Sequence, residues 1–215
     1  MAEGCLLYYI TDRTSFSGEE HTRRRCLLDK ITEAATYGID YIQLREKDLS
    51  ARELEELARE AMNIVLQIRM KNQSLRTALL INSRADVAFA VGADGVHLRA
   101  SDLSPEEARR AWSSREDPLV AVSCHTLQDV ARAEATHASF AVFAPVFEKR
   151  DTHGITAVGL KALREACQAE IPVFALGGVM LENAKSCLEA GAAGIAGIRI
   201  FQENNISSLV RGIRS

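Results

Sequence analysis

The sequence predicts a single α/β domain folded as a closed (β/α)8 TIM barrel. Eight short apolar runs alternate with longer stretches of helical periodicity along the 215 residues. Several of these runs are continuously apolar, which is typical of parallel strands that are covered on both faces. Polar residues follow nearly every run, and in such a barrel they would meet at the rim formed by the carboxyl ends of the strands.

The eight predicted strands come in regular order along the chain. They are Cys5–Ile10, Tyr41–Ile42, Leu79–Ile81, Gly95–Val96, Leu119–Val122, Phe140–Phe143, Pro172–Leu176 and Ala193–Ile198. An open doubly wound sheet is the main alternative. It usually carries a glycine-rich turn after its first strand, and Thr11-Asp12-Arg13 is not such a turn.

Local start and stop signals support the helices between the strands. Ser50 with Glu53 has the spacing of a capping box, and Pro105 after Ser104 marks a first helical position. Asn183 is predicted to begin the seventh helix. Glycines end three helical runs before strands, at Gly38, Gly92 and Gly191. No linker divides the chain, so we expect one domain over residues 1–215.

Composition narrows the class of protein. The chain is 47% hydrophobic and 26% charged with a net charge of −3, so no global basic field indicates a nucleic-acid partner. No apolar stretch is long enough for a membrane span, and the first residues lack the features of a signal peptide. Five cysteines without CxxC spacing are expected to be reduced thiols. We therefore expect a cytoplasmic protein without a membrane partner, and a homo-oligomer stays open.

The end of the second strand carries an alternation of polar residues. Gln43, Arg45 and Lys47 would share one face of a strand, and two cations would not be buried beneath helices. We therefore expect them at the barrel mouth, where they suit a phosphate or diphosphate. The alternative is a structural cluster of ion pairs with the neighbouring carboxylates Glu46, Asp48 and Asp12.

Glycines mark a second candidate anion site. Gly177 and Gly178 follow the seventh strand, and the eighth ends near Gly197 and Ile198. The loops after these two strands are the recurring phosphate site of this fold, because glycines let backbone N–H groups approach phosphate oxygens. The alternative is that these glycines serve tight packing alone.

Three further strand ends carry candidate residues. Asn82 and Asp102, with water and a diphosphate, could hold Mg²⁺, although Asp102 is equally a candidate loop or capping residue. Ser123 is a candidate hydrogen-bond donor to substrate, or it satisfies backbone groups. His125 is interpreted as a loop histidine rather than a base, and the direction of His97 is left open.

These motifs together resemble the thiamine phosphate synthase/TenI superfamily over nearly the whole chain. The matching segments are IQLREKD, INSRADVAFAVGADGVHL, VSCHT, FAPVF, ALGGV and AGAAGIAGI, in this order. The resemblance implies a (β/α)8 barrel in thiamine biosynthesis with small phosphorylated substrates. Such synthases join hydroxymethylpyrimidine diphosphate to thiazole phosphate and release diphosphate.

The resemblance also implies a role for each candidate residue. Gln43, Arg45 and Lys47 become diphosphate and pyrimidine contacts, and Asn82 and Asp102 belong to the diphosphate–Mg²⁺ region, with Asp102 as the metal ligand. Ser123 becomes a substrate contact, and Gly178 a backbone donor to the thiazole phosphate. Arg45, Lys47 and Ser123 are the residues expected to be catalytic.

The chain departs from the synthase pattern at several positions. Ser83 stands where synthases carry a metal-binding Asp, and the loop after the sixth strand lacks the usual Thr-x-Thr-Lys cluster. Lys149 in that loop is a candidate replacement. In TenI-type thiazole tautomerases, which need an acid or base rather than Mg²⁺, the catalytic His would fall at Pro145. Three hypotheses therefore stand: a synthase with a weakened metal site, a tautomerase, and a non-catalytic thiamine- or thiazole-phosphate-binding protein.

Overall fold

Eight parallel strands close into a barrel in chain order, because β1 pairs with both β2 and β8. The structure is a computed structural model that describes residues 4–112, 118–148 and 156–214. The strands are β1 (Leu6–Ile10), β2 (Tyr41–Leu44), β3 (Ala78–Asn82), β4 (Gly95–Leu98), β5 (Leu119–Cys124), β6 (Phe140–Phe143), β7 (Val173–Ala175) and β8 (Gly194–Gly197). The predicted (β/α)8 barrel is confirmed, with strand ends shifted by up to two residues.

Helices follow the strands and cover the outside of the barrel. They are α1 (Glu20–Thr36), α2 (Ala51–Lys71), α3 (Ala85–Val91), α4 (Pro105–Ala111), α5 (Leu127–Ala135), α6 (Gly159–Ala166), α7 (Leu181–Glu189), α8 (Arg199–Gln202) and α9 (Ile206–Arg214). Both predicted capping sites, at Ser50 and Ser104, are present. In the part of the chain that is described, no helix has the length and apolar character that crossing a bilayer requires.

One predicted helix start was wrong. The helix α7 begins at Leu181, and Asn183 lies within its first turn. The Asn183 carboxamide accepts a hydrogen bond from the Met180 N–H at 2.8 Å and donates one to the Gly178 carbonyl at 3.0 Å. Asn183 therefore ties the first turn of α7 to the loop after β7.

The lower half of the barrel is filled by aromatic rings. Tyr8, Tyr41, Phe140 and Phe174 lie in mutual contact, with ring centroids 4.9 Å apart for Phe140 and Phe174 and 5.5 Å for Tyr8 and Phe140. A second apolar core lies between the strands and the surrounding helices. Because the rings close the barrel from below, polar groups inside it are accessible only from the carboxyl ends of the strands.

The loop after β2 is held by a buried ion-pair network. Arg13 is only 3% exposed, and its guanidinium donates to Glu46 at 3.2 Å and to Asp48 at 2.6 Å. Thr11 Oγ1 donates to Glu46 at 2.5 Å and accepts from the Arg45 N–H at 2.9 Å. Two of the three carboxylates that were candidate partners for Arg45 and Lys47, Glu46 and Asp48, are thus held by Arg13, which fixes the loop against β1. The third, Asp12, accepts hydrogen bonds from Thr14.

Candidate active site at the barrel mouth

Alternating residues of neighbouring strands line the upper half of the barrel. Gln43 is buried near the end of β2, and Asn82 lies beside His97 in the register of β3 and β4. Ser123 lies near the end of β5. Asn82 is two residues from the interior Leu80, so strand alternation directs it inward. Gln43, Asn82 and Ser123, all predicted from the sequence, are therefore brought to one mouth.

A chain of hydrogen bonds crosses the barrel beneath this mouth. Gln43 Nε2 donates to Tyr8 Oη at 3.0 Å, and Tyr8 Oη lies 3.0 Å from His97 Nδ1. The other ring nitrogen, His97 Nε2, lies 2.7 Å from Ser123 Oγ. We name these four residues the Gln43–Ser123 relay. Sequence reasoning found its two ends, left His97 unoriented and missed Tyr8.

Burial keeps the middle of the relay uncharged. The pKa of His97 is lowered to about 3, mainly by desolvation and in addition by the charge of Arg45, and the opposing effect of Asp102 is smaller. Desolvation also raises the pKa of the Tyr8 hydroxyl well above its ordinary value. At neutral pH both groups are therefore neutral, and each acts only as a hydrogen-bonding group.

Arg45 brings positive charge to the mouth, although not through the strand alternation that was predicted. β2 ends at Leu44, so Arg45 and Lys47 lie in the following loop and only Gln43 is in the strand. Burial lowers the pKa of the half-buried Arg45, Asp12 and Glu46 oppose this, and Arg99 adds to it. Lys47 is exposed in the turn beyond Arg45.

Asp102 lies at the edge of the mouth. Its carboxylate accepts a hydrogen bond from the Arg99 N–H at 2.8 Å, and the N-cap of α4 is Ser104, so Asp102 is a loop residue. It also lines a cavity of about 230 Å³ between α4 and α5, on the outer side of the barrel. Its charge nevertheless acts on His97, which places it within electrostatic range of the relay.

The donors near Asp102 offer an incomplete set for Mg²⁺. Ser83 has a left-handed φ of +59°, and its N–H donates to the His97 carbonyl at 2.8 Å. Within the described ranges, no group of three or more histidine, cysteine or acidic side chains is arranged to hold a metal. Since Mg²⁺ binds through one or two carboxylates plus substrate phosphates, Asp102 and Asn82 fit it only together with a diphosphate.

The glycine pair after β7 is shaped by close packing. Gly177 and Gly178 have φ values of +95° and +64°. A Cβ at Gly177 would lie 2.7 Å from the Cα of Pro145, and one at Gly178 would lie 2.7 Å from the Cβ of Phe147. Close packing therefore explains part of the need for glycine at these two positions. A bulky residue at Gly178 would disturb the fold.

The same glycine pair also leaves backbone donors at the mouth. Among the residues that the structure describes, neither the Gly177 nor the Gly178 N–H donates a hydrogen bond. Gly197 ends the neighbouring strand β8, and Ile198 is the N-cap of α8. These two strand ends are adjacent because β7 pairs with β8. The geometry is compatible with a phosphate bound by backbone N–H groups.

The structure adds less about the two other candidate residues, His125 and Lys149. His125 Nδ1 is hydrogen-bonded to the Ala144 carbonyl at 2.8 Å, which agrees with its interpretation as a loop histidine. Lys149 lies outside the described residues, together with the rest of residues 149–155.

Comparison with known proteins assigns the family. The family model described as "Thiamine monophosphate synthase" (TMP-TENI) matches residues 7–201. The chain belongs to the thiamine monophosphate synthase family. It is 38% identical to "Putative thiamine-phosphate synthase 2" of Aquifex aeolicus, over 92% of this chain and 97% of that protein. It is 34% identical to "Thiamine-phosphate synthase" of Clostridium novyi, over 93% of this chain and 91% of the relative.

A solved structure agrees with this assignment. The thiamine phosphate pyrophosphorylase from Pyrococcus furiosus superposes with a TM-score of 0.78 at 26% identity, covering 97% of this chain and 93% of that one. The family members are thus similar to this chain along its whole barrel and not only in single motifs.

Proposed function

We propose that this chain is a thiamine-phosphate synthase, which joins hydroxymethylpyrimidine diphosphate to thiazole phosphate and releases diphosphate. The observation that carries the proposal is the convergence of Gln43, Ser123 and Arg45 on one mouth, in a chain whose family relatives carry the synthase name. The C–O bond to diphosphate breaks, and the thiazole nitrogen captures the pyrimidine-stabilised cation. The protein aligns two substrates and neutralises a leaving anion.

Each group has a task in this reaction. Arg45 and Lys47 contact the diphosphate, and Gln43 and Ser123 contact the pyrimidine ring. Asn82 lies beside them. Mg²⁺, which Asp102 and Asn82 would hold together with the diphosphate, would supply further charge neutralisation. Backbone N–H groups of the loops after β7 and β8 contact the thiazole phosphate, and they belong to Gly177, Gly178, Gly197 and Ile198.

Two positions in the described part of the chain, His97 and Pro145, favour the synthase over the tautomerase. A tautomerase needs an acid or base that exchanges a proton near neutral pH. His97 is buried, and its pKa is lowered to about 3, so it does not exchange a proton near neutral pH. Pro145 occupies the position where the tautomerase histidine would fall. The synthase reaction requires the binding of an anion and the alignment of two substrates, and neither task requires a protein base.

The test is to incubate the pure protein with both synthase substrates and Mg²⁺ and to measure thiamine phosphate and diphosphate. A second incubation contains the thiazole tautomer alone. Arg45→Gln is expected to lower kcat/KM about 10²–10³-fold, as for loss of one transition-state donor. The control Arg59→Gln changes an exposed arginine on α2 that pairs with Glu55.

The outcomes separate the three hypotheses. Conversion of the tautomer without thiamine phosphate formation would make the protein a tautomerase. Binding of either phosphate without any product would make it a binding protein. If Arg45→Gln and Arg59→Gln were equally active, the diphosphate would not be bound at this mouth.

A further inference from the structure

We propose that Tyr8 and His97 are positioning residues that give the Gln43–Ser123 relay one direction, so that Ser123 presents its O–H to the substrate as a donor. The assignment of the pyrimidine ring as the recipient rests on the proposed function. The direction of the relay itself follows from the hydrogen-bonding capacity of its four members.

The direction begins at Gln43. Its amide nitrogen faces Tyr8 Oη at 3.0 Å, and an amide nitrogen only donates, so the phenol oxygen accepts. The phenol keeps one proton, and the remaining partner of its oxygen is His97 Nδ1 at 3.0 Å. The Tyr8 proton therefore points at Nδ1, and Nδ1 accepts.

The direction continues through the imidazole. A neutral imidazole carries one proton, so when Nδ1 accepts, the proton is on Nε2. Nε2–H then donates to Ser123 Oγ at 2.7 Å. Since Tyr8 is fully buried and His97 is 3% exposed, water does not compete for these bonds. The Ser123 hydroxyl already accepts, and its own proton is left to point into the mouth.

The direction of the relay determines which groups of the site donate hydrogen bonds and which accept them. Ser123 offers a donor, and the Gln43 carboxamide offers its carbonyl oxygen and its second N–H. A ring with an acceptor towards Ser123 and an amino donor towards Gln43 satisfies both groups, whereas an inverted pattern leaves buried polar groups without partners. Without the Tyr8 hydroxyl, both imidazole tautomers become accessible, and Ser123 would in part turn its proton towards His97.

The matched pair of variants is Tyr8→Phe and Tyr41→Phe. Both change a tyrosine of the same aromatic cluster, with ring centroids 5.9 Å apart, and remove only a hydroxyl. Within the described residues, the Tyr41 hydroxyl takes no part in the relay. Thermal unfolding of both variants checks that the barrel is retained.

The first measurement needs no substrate. ¹⁵N spectra of the histidine side chains, with His97 assigned from its absence in His97→Gln, are expected to show the Nε2–H tautomer in the wild type and in Tyr41→Phe. Tyr8→Phe is expected to show a tautomer mixture. An Nδ1–H tautomer in the wild type would overturn the direction proposed here, and an unchanged His97 spectrum in Tyr8→Phe would overturn the role of Tyr8.

The second measurement uses both substrates. Tyr8→Phe is expected to raise KM for the pyrimidine diphosphate about 10–100-fold, with a smaller change in kcat and in KM for the thiazole phosphate, while Tyr41→Phe stays near the wild type. Equal KM values for the two variants would overturn the link to the substrate. A wild type that shows the expected tautomer but makes no thiamine phosphate would leave the relay intact and reject the proposed function.

Discussion

Acidification should destabilise the folded protein through His97. The pKa of this histidine falls from an ordinary value of 6.5 to about 3 on folding, mainly because it is buried. Between these two pKa values the unfolded chain binds one more proton than the folded chain, so the free energy of unfolding falls as pH falls. The slope is about 1.4 kcal/mol per pH unit, which predicts a loss of about 2 kcal/mol between pH 7 and pH 5.

Urea unfolding of the wild type and His97→Gln at both pH values isolates this contribution. The variant is less stable at pH 7 because the relay is interrupted, but the carboxamide that replaces the imidazole does not titrate. All other titrating groups are shared, so the loss between pH 7 and pH 5 should be about 2 kcal/mol smaller in the variant. The same pH dependence in both proteins would refute the statement that His97 is buried as a neutral group.

Three further variants test other parts of the structure. Arg13→Met should lower the free energy of unfolding by about 3–5 kcal/mol because Glu46 stays buried without its partner, and adding Glu46→Gln should restore part of it in urea titrations. A double variant no more stable than the single one would contradict this. Gly178→Ala should cost about 1–3 kcal/mol in thermal unfolding, because its Cβ would lie 2.7 Å from the Cβ of Phe147 at a φ of +64°. A melting temperature equal to that of the wild type would show that the Phe147 segment yields easily. Ser83→Asp should tighten Mg²⁺ binding about tenfold in calorimetry with diphosphate present, since Asp tolerates the left-handed conformation. An unchanged Kd would place residue 83 away from the metal.

Local signals account for most of the fold. The barrel follows from eight apolar runs, and the capping boxes at Ser50 and Ser104 follow from residues three positions apart. Contacts between residues that are far apart in the sequence could not be predicted from such local signals. Arg13 and Glu46 are 33 positions apart, and nothing in the chain near either residue indicates the other.

Within the site, the contacts of the relay also join residues that are far apart in the sequence and could not be predicted from it. The predicted fourth strand ended at Val96, whereas β4 continues to Leu98, and only this extension fixes His97 as an inward residue of the same face as Gly95. Tyr8 stands in the apolar run CLLYYI and has the composition of a core residue. Its hydroxyl acquires a partner only because β1, β2 and β4 meet around one interior.

Arg45 lies at the mouth as predicted, but not for the reason that predicted it. Strand alternation does not extend to Arg45, but Glu46 and Asp48 are both held by Arg13. Their negative charge is thereby paired mainly with Arg13, although Glu46 and Asp12 still interact electrostatically with Arg45. No carboxylate ion pair with Arg45 occurs in the described part of the chain. Arg45 and Arg99 are close enough to lower the pKa of Arg45, so their mutual repulsion is present before any ligand binds. We propose that a diphosphate bound at the mouth would relieve this repulsion, so that the mouth would favour anions.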